Sequence, residues 1–229
     1  MKFLYFTFLL CAVCTALNAR QWKQLSTTTN DIPLPWKSLE QTGALVGDLN
    51  NDGRNDFILT SRKVAPAAVW YQQTDKGWLK HVIEPDMLTV EAGGVIYDVD
   101  NDGDPDLVFG GDWQSNQVWW WENPYPGLEQ RWPRHLIKSG GSTQHHDQAI
   151  GKFTQDDSAQ LVFWNQGDKT LYLALVPADP TQSPWKYKAI YKASAEDEKH
   201  GSYVEGAVKG DVDGDGYEGT LFQSSFTTA

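Results

Sequence analysis

The sequence predicts an all-β protein built from repeated four-stranded antiparallel units, and three observations carry that expectation. One pattern, a short apolar strand followed by an acid-rich turn and a second apolar strand, recurs at 43–59, 93–109, 147–163 and 206–222. The segments between these copies are short, rich in β-branched and aromatic residues, and bounded by Gly, Asn, Asp and Pro. No stretch carries a sustained 3.6-residue apolar period, so no helix is required.

Taken in order, the chain opens with one lysine, an apolar run over 3–16 and small residues up to Ala19, the layout of a secretory signal peptide spanning 1–19. The run falls short of the roughly 20 residues that a membrane span needs. No later stretch is long enough either, so no span is expected once the signal is removed. Cys11 and Cys14, the only cysteines, both lie in it, which leaves the exported part, 20–229, without a disulfide.

The first positions of the four turns, Asp48, Asp98, Lys152 and Asp211, stand roughly 50 to 60 residues apart, within the range of units that stack or close radially. Between them the text repeats more loosely. Val69-Trp70-Tyr71 precedes Trp78 and His81, Val118-Trp119-Trp120-Trp121 precedes Trp132 and His135, and Leu171-Tyr172-Leu173 precedes Trp185. Each unit thus reads as four strands, the geometry of a β-propeller blade, with the strand before the acidic turn innermost and the strand after the second tryptophan outermost. Tryptophan, 11 in all, fills the space between blades. His81 and His135 recur at one position of the outer strand and read as structural.

With 19 basic and 30 acidic residues the formal charge is −11, which repels phosphate backbones and argues against a nucleic-acid partner. Much of that charge sits in the turns. Asp-x-Asp/Asn-x-Asp-Gly-x-x-Asp places oxygen ligands at positions 1, 3, 5 and 9, a turn glycine at 6 and a backbone carbonyl at 7, chemistry that suits Ca2+. The first loop offers Asp48, Asn50, Asp52, the Arg54 carbonyl and Asp56; the second offers Asp98, Asp100, Asp102, the Asp104 carbonyl and Asp106. An EF-hand is excluded because Leu59, Phe109 and Phe222 stand where its bidentate glutamate belongs. The third loop has Lys152, Thr154 and Gln160 at positions 1, 3 and 9 and is expected to bind no metal, the Lys152 ammonium taking the cation's place. The fourth keeps Asp211, Asp213, Asp215 and the Tyr217 carbonyl but has Gly219 at position 9, so it is expected to bind weakly.

These loops, with Ala44-Leu45-Val46-Gly47-Asp48 or Val95-Ile96-Tyr97-Asp98 leading in and Asp106-Leu107-Val108-Phe109-Gly110-Gly111 leading out, resemble FG-GAP/VCBS repeats, the calcium-loop blades of integrin α-type propellers. The resemblance covers nearly all of 21–222 and implies a β-propeller, commonly of seven blades, with structural Ca2+ between the inner strands. More loosely, Glu122-Asn123-Pro124, His145-His146-Asp147 and Val204-Glu205-Gly206 are similar to the propeller part of aldos-2-ulose dehydratase-like proteins, which act on sugars. Only four inner-strand copies are present. The chain reads either as part of a longer propeller or as a small four-bladed ring closed by 21–27, and an open arc would expose strand edges that invite self-association.

Aligned on the loops, the residues entering the inner strands are Gln41, Glu91, His145-His146 and Glu205, with Asp147 and His200 nearby. In a propeller they gather on one face near the axis. Imidazoles beside carboxylates there support general acid–base work or the binding of a transition metal, and a central concave site is where a ligand would sit. Trp119-Trp120-Trp121 reads as packing or, on an open face, as a sugar platform. The functional expectations are a secreted, calcium-stabilised binding module for carbohydrate or an extracellular protein, a sugar lyase or dehydratase using the His/Glu cluster, and a truncated remnant of a longer repeat protein.

Overall fold

The computed structural model describes residues 23–37, 40–156, 158–195 and 203–225, with the backbone alone at 203–205 and 220–225. The expected signal peptide and His200 lie outside these residues, as does the side chain of Glu205. The described chain is all-β apart from turns, and each sheet takes its strands in sequence order. Sheet 1 is β1 (Gln41–Gly47), β2 (Asp56–Ser61), β3 (Ala68–Thr74) and β4 (Gly77–Glu84); sheet 2 is β5 (Val95–Tyr97), β6 (Asp106–Gly110), β7 (Val118–Trp121) and β8 (Arg134–Lys138). Sheet 3 is β9 (Gln148–Gly151), β10 (Gln160–Asn165), β11 (Thr170–Leu175) and β12 (Tyr187–Lys192), and β13 (Tyr203–Gly210) pairs with β14 (Gly219–Ser225).

All pairings are antiparallel, as short connections require. Register breaks fall at equivalent places: between Gln41 and Ala44 in β1 and between Val204 and Ala207 in β13, then between Ala68 and Val69 in β3 and between Val118 and Trp119 in β7. First strands of successive sheets adjoin, β1 with β5, β5 with β9 and β9 with β13.

Strand alternation decides how the sheets face one another. Trp119 and Trp121 point from β7 into the core shared with sheet 1, against Leu49, Ile58, Trp70 and Trp132, whereas Trp120 points the other way into the core shared with sheet 3, against Ile150, Leu161, Phe163 and Trp185. All three are buried, so the run presents no open aromatic platform. His81 stacks on Trp70 at 4.4 Å and His135 on Trp120 at 4.5 Å, cross-strand pairs at matching registers. Beyond sheet 1, Ile32 and Trp36 pack onto Val69 and Tyr71. No helix among the described residues is long and apolar enough to cross a membrane.

A meander of this kind puts its turns at alternate ends. The β1–β2, β5–β6, β9–β10 and β13–β14 loops share one end of their sheets, and the β2–β3 and β6–β7 connections lie at the other, together with the entries into the first strands.

Candidate functional site

Two sites follow from that division, an acidic end and an end where the strand entries meet. At the acidic end the first two loops are held by the same internal hydrogen bonds. Asp48 accepts from the N–H groups of Asp52 and Gly53 at 3.1 and 2.7 Å, and Asp98 accepts from those of Asp102 and Gly103, both at 3.1 Å. Asn51 and Asn101 adopt positive φ, as do Gly53 and Gly103, which lets the chain reverse within the loop.

Position 9 closes the first three loops from below. Asp56 accepts from the Leu49 and Gln73 N–H groups, Asp106 from those of Val99 and Asn123. In the third loop Gln160, fully buried, takes over with an amide, accepting from Phe153 at 2.7 Å and Thr154 at 3.1 Å and donating to the Ser158 carbonyl. The closure survives without charge there, and Lys152 is exposed. In the fourth loop Gly219 offers no such closure, although Asp211 and Asp215 still cap the Gly216 and Tyr217 N–H groups.

Carboxylate oxygens of Asp98, Asp100 and Asp106 lie within 4.8 Å of one another, as do those of Asp211, Asp213 and Asp215. In the first loop Asn50 donates to Asp52 at 3.1 Å. Burial pushes the Asp106 carboxyl up to about 8, with Asp100 and Asp104 adding repulsion. Burial, then Asp102 and Asp100, pushes Asp104 up to about 7, and one Asp104 oxygen is buried with no hydrogen-bond partner. All the donors are oxygen, the preference of a hard cation, and carboxylates held this close repel one another until a cation neutralises them.

At the opposite end the consecutive residues 145–147 point three ways. His145 turns inward, fully buried, 5.8 Å from the Phe163 ring and 2.9 Å from Asn165 Nδ2, and burial depresses its pKa to about 3, with Lys138 contributing. His146 turns toward Glu91, its Nε2 3.6 Å from a carboxylate oxygen and its Nδ1 buried without a partner. Asp147, at φ 44°, accepts from the Gly206 N–H at 2.7 Å. Of the residues expected to form one cluster, the structure therefore brings Glu91 and His146 together and gives His145 and Asp147 other neighbours.

Glu91 is 1% exposed and also bonded by residues the sequence did not single out: Arg62 at 2.5 Å and Gln144 at 3.3 Å. Arg62 lies 5.1 Å from the ring centre of Trp113, whose place in the β6–β7 connection, outside the tryptophan positions of the strand pattern, was the available signal. Neither a model of a known protein family nor a curated protein matches the chain.

Proposed function

We propose that the chain is a calcium-stabilised, propeller-type binding module, exported from the cell, that recognises carbohydrate or an extracellular protein with the end opposite its acidic loops. The observation that carries the metal reading is the convergence of Asp98, Asp100 and Asp106 within 4.8 Å. Ca2+ there would be held by these carboxylates with Asp102 and the Asp104 carbonyl. In the first loop Asp48, Asn50, Asp52, the Arg54 carbonyl and Asp56 would hold it, and in the fourth Asp211, Asp213, Asp215 and the Tyr217 carbonyl would hold it less tightly. The cation would neutralise carboxylates that otherwise repel one another and bind only the folded chain, adding stability by mass action. The radial arrangement is supported by the adjoining first strands of successive sheets.

The test is a thermal melt with added Ca2+ and with chelator, paired with metal counting. The melting temperature rises with Ca2+ and falls with chelator, Asp98→Ala and Asp48→Ala each lose about one bound ion, and Lys152→Ala loses none. A melt indifferent to both additions would end the reading.

A second reading, a sugar lyase or dehydratase, is favoured by one contact. Glu91 beside His146 Nε2, with Nδ1 unpartnered, is the arrangement of a carboxylate orienting an imidazole base. Proton abstraction beside a sugar carbonyl would then fall to His146. Turnover of keto-sugars by the wild type and its loss in His146→Ala test it.

A further inference from the structure

The end opposite the acidic loops holds polar side chains that the packing leaves incompletely satisfied. Arg62 in the β2–β3 connection, Trp113 in the β6–β7 connection and the strand-entry residues Glu91, Gln144 and His146 form one contiguous group through the contacts given above. Asp112 belongs to it: its backbone accepts from the Gln144 N–H and donates to the Thr89 carbonyl, and its side chain is fully buried. Ser61 Oγ, Arg62 Nε, Asp112 Oδ2 and His146 Nδ1 are all buried without a hydrogen-bond partner. Unpaired buried polar atoms cost stability, and these four lie beneath an indole that stands 48% exposed, an aromatic face that the packing leaves uncovered.

Charge narrows the partner. The Arg62 guanidinium already faces Glu91 and acts electrostatically on Asp112, so within this group carboxylates outnumber the fixed cation and an anionic ligand is repelled. A metal ion would have to displace that guanidinium. What remains is a neutral molecule with an apolar face for the indole and several hydroxyls for the donors and acceptors beside it.

We infer that Trp113, Arg62, Glu91, Gln144 and His146 form a carbohydrate-binding site. A pyranose ring stacks its C–H face on the outer side of the Trp113 indole, and Arg62 supports the inner side by its cation–π contact. The sugar hydroxyls exchange hydrogen bonds with the partly exposed Arg62 guanidinium and Gln144 amide at its edge, which Glu91 holds in place from below. The inference rests on the binding-module reading and names its ligand class.

The experiment uses the full chain with neutral tetrasaccharides of the xylose, glucose, mannose, galactose and N-acetylglucosamine series, and a uronate series beside them, read by calorimetry. At least one neutral series binds, Trp113→Ala weakens it about tenfold or more, and Trp113→Phe keeps part of the affinity. Because Trp113 is exposed, the melt of Trp113→Ala and its response to Ca2+ stay those of the wild type. The inference is overturned if no neutral series binds, if Trp113→Ala binds as well as the wild type, or if the uronate series binds best. Sugar binding with a melt indifferent to Ca2+ would remove the metal reading and leave this site standing; a calcium-dependent melt without sugar binding would do the reverse.

Discussion

The Asp147 carboxylate accepts a 2.7 Å hydrogen bond from the Gly206 N–H, joining the entry of β9 to the register break within β13. Both residues stand five places before the first position of their acidic loop, and so do Gly43 and Gly93. A Cβ on Gly43 would come within 3.2 Å of the Gly93 carbonyl, and one on Gly93 within 2.5 Å of Asp147 Cα. Equivalent positions of successive units therefore touch in turn, with backbone packed on backbone where the first strands converge.

Gly93→Ala tests that close approach. Its φ of 96° already disfavours a side chain, and the added Cβ would overlap the Asp147 backbone, which cannot rotate away. At Gly53, with φ 81°, an added Cβ would meet nothing within 4 Å, so Gly53→Ala carries backbone strain alone. Urea denaturation should show a loss of about 1 kcal/mol for Gly53→Ala and at least about 3 kcal/mol for Gly93→Ala. Equal losses would mean that the first strands are not packed this tightly.

Glu84 makes a second joint, between sheets 1 and 2. Only 1% exposed, it accepts from Trp121 Nε1, the Asp86 N–H and Arg134. Arg131 approaches the same carboxylate only at 3.5 Å and its side chain is 59% exposed. Glu84→Ala leaves a guanidinium and an indole N–H without their acceptor at a buried joint and should cost about 3 kcal/mol, whereas Arg131→Ala should cost less than about 0.5 kcal/mol. The two denaturation midpoints decide it, and a large Arg131 effect would relocate the joint to the surface.

The strands were legible because period-two patterns are bracketed by turn residues, and the tryptophan run because alternation alone assigns Trp120 to one core and its neighbours to the other. The strand-entry cluster was legible only in part. Adjacency in sequence grouped His145, His146 and Asp147, but the chain bends here, with Gln144 and Asp147 at left-handed φ of 69° and 44°, so the three side chains diverge and only His146 reaches Glu91. Arg62 lies 29 residues from Glu91 and Gln144 lies 53 from it, so their meeting depends on how separate sheets stack, which no local pattern encodes.

His145 gives a pH dependence whose sign follows from burial. Its pKa in the folded chain, near 3, lies below the ordinary value of 6.5, so below about pH 6.5 the unfolded chain takes up a proton that the folded chain refuses. Stability is retained above pH 6.5 and lost as the pH falls toward 3. The charged group facing it is Lys138, itself buried, with its ammonium donating to the Asn116 and Gly140 carbonyls, and it disfavours a second positive charge. Compared with His145→Gln, which cancels the titration of every other group, the wild type should lose on the order of 1 kcal/mol per pH unit between pH 6 and 4. Parallel pH profiles for the two proteins would contradict a buried, neutral His145.

Asp106→Asn separates the two tasks of position 9. The carboxylate caps the Val99 and Asn123 N–H groups and, in the proposed reading, ligates Ca2+ as well. The two N–H groups take one carboxylate oxygen each. An amide has a single acceptor oxygen, so Asp106→Asn keeps one cap and turns its NH2 toward the other N–H, a loss set against the removal of a buried carboxyl that neighbouring acids repel; with chelator the variant should melt somewhat below the wild type. Gln160 avoids that loss in the third loop because its one amide oxygen accepts from both Phe153 and Thr154 while its NH2 donates to the Ser158 carbonyl. With Ca2+ the margin widens, because the variant offers a neutral ligand in place of an anionic one and gains less from the cation. A margin that grows with Ca2+ is the expected outcome, and a variant that melts below the wild type by the same margin with and without Ca2+ would show that position 9 serves the loop alone.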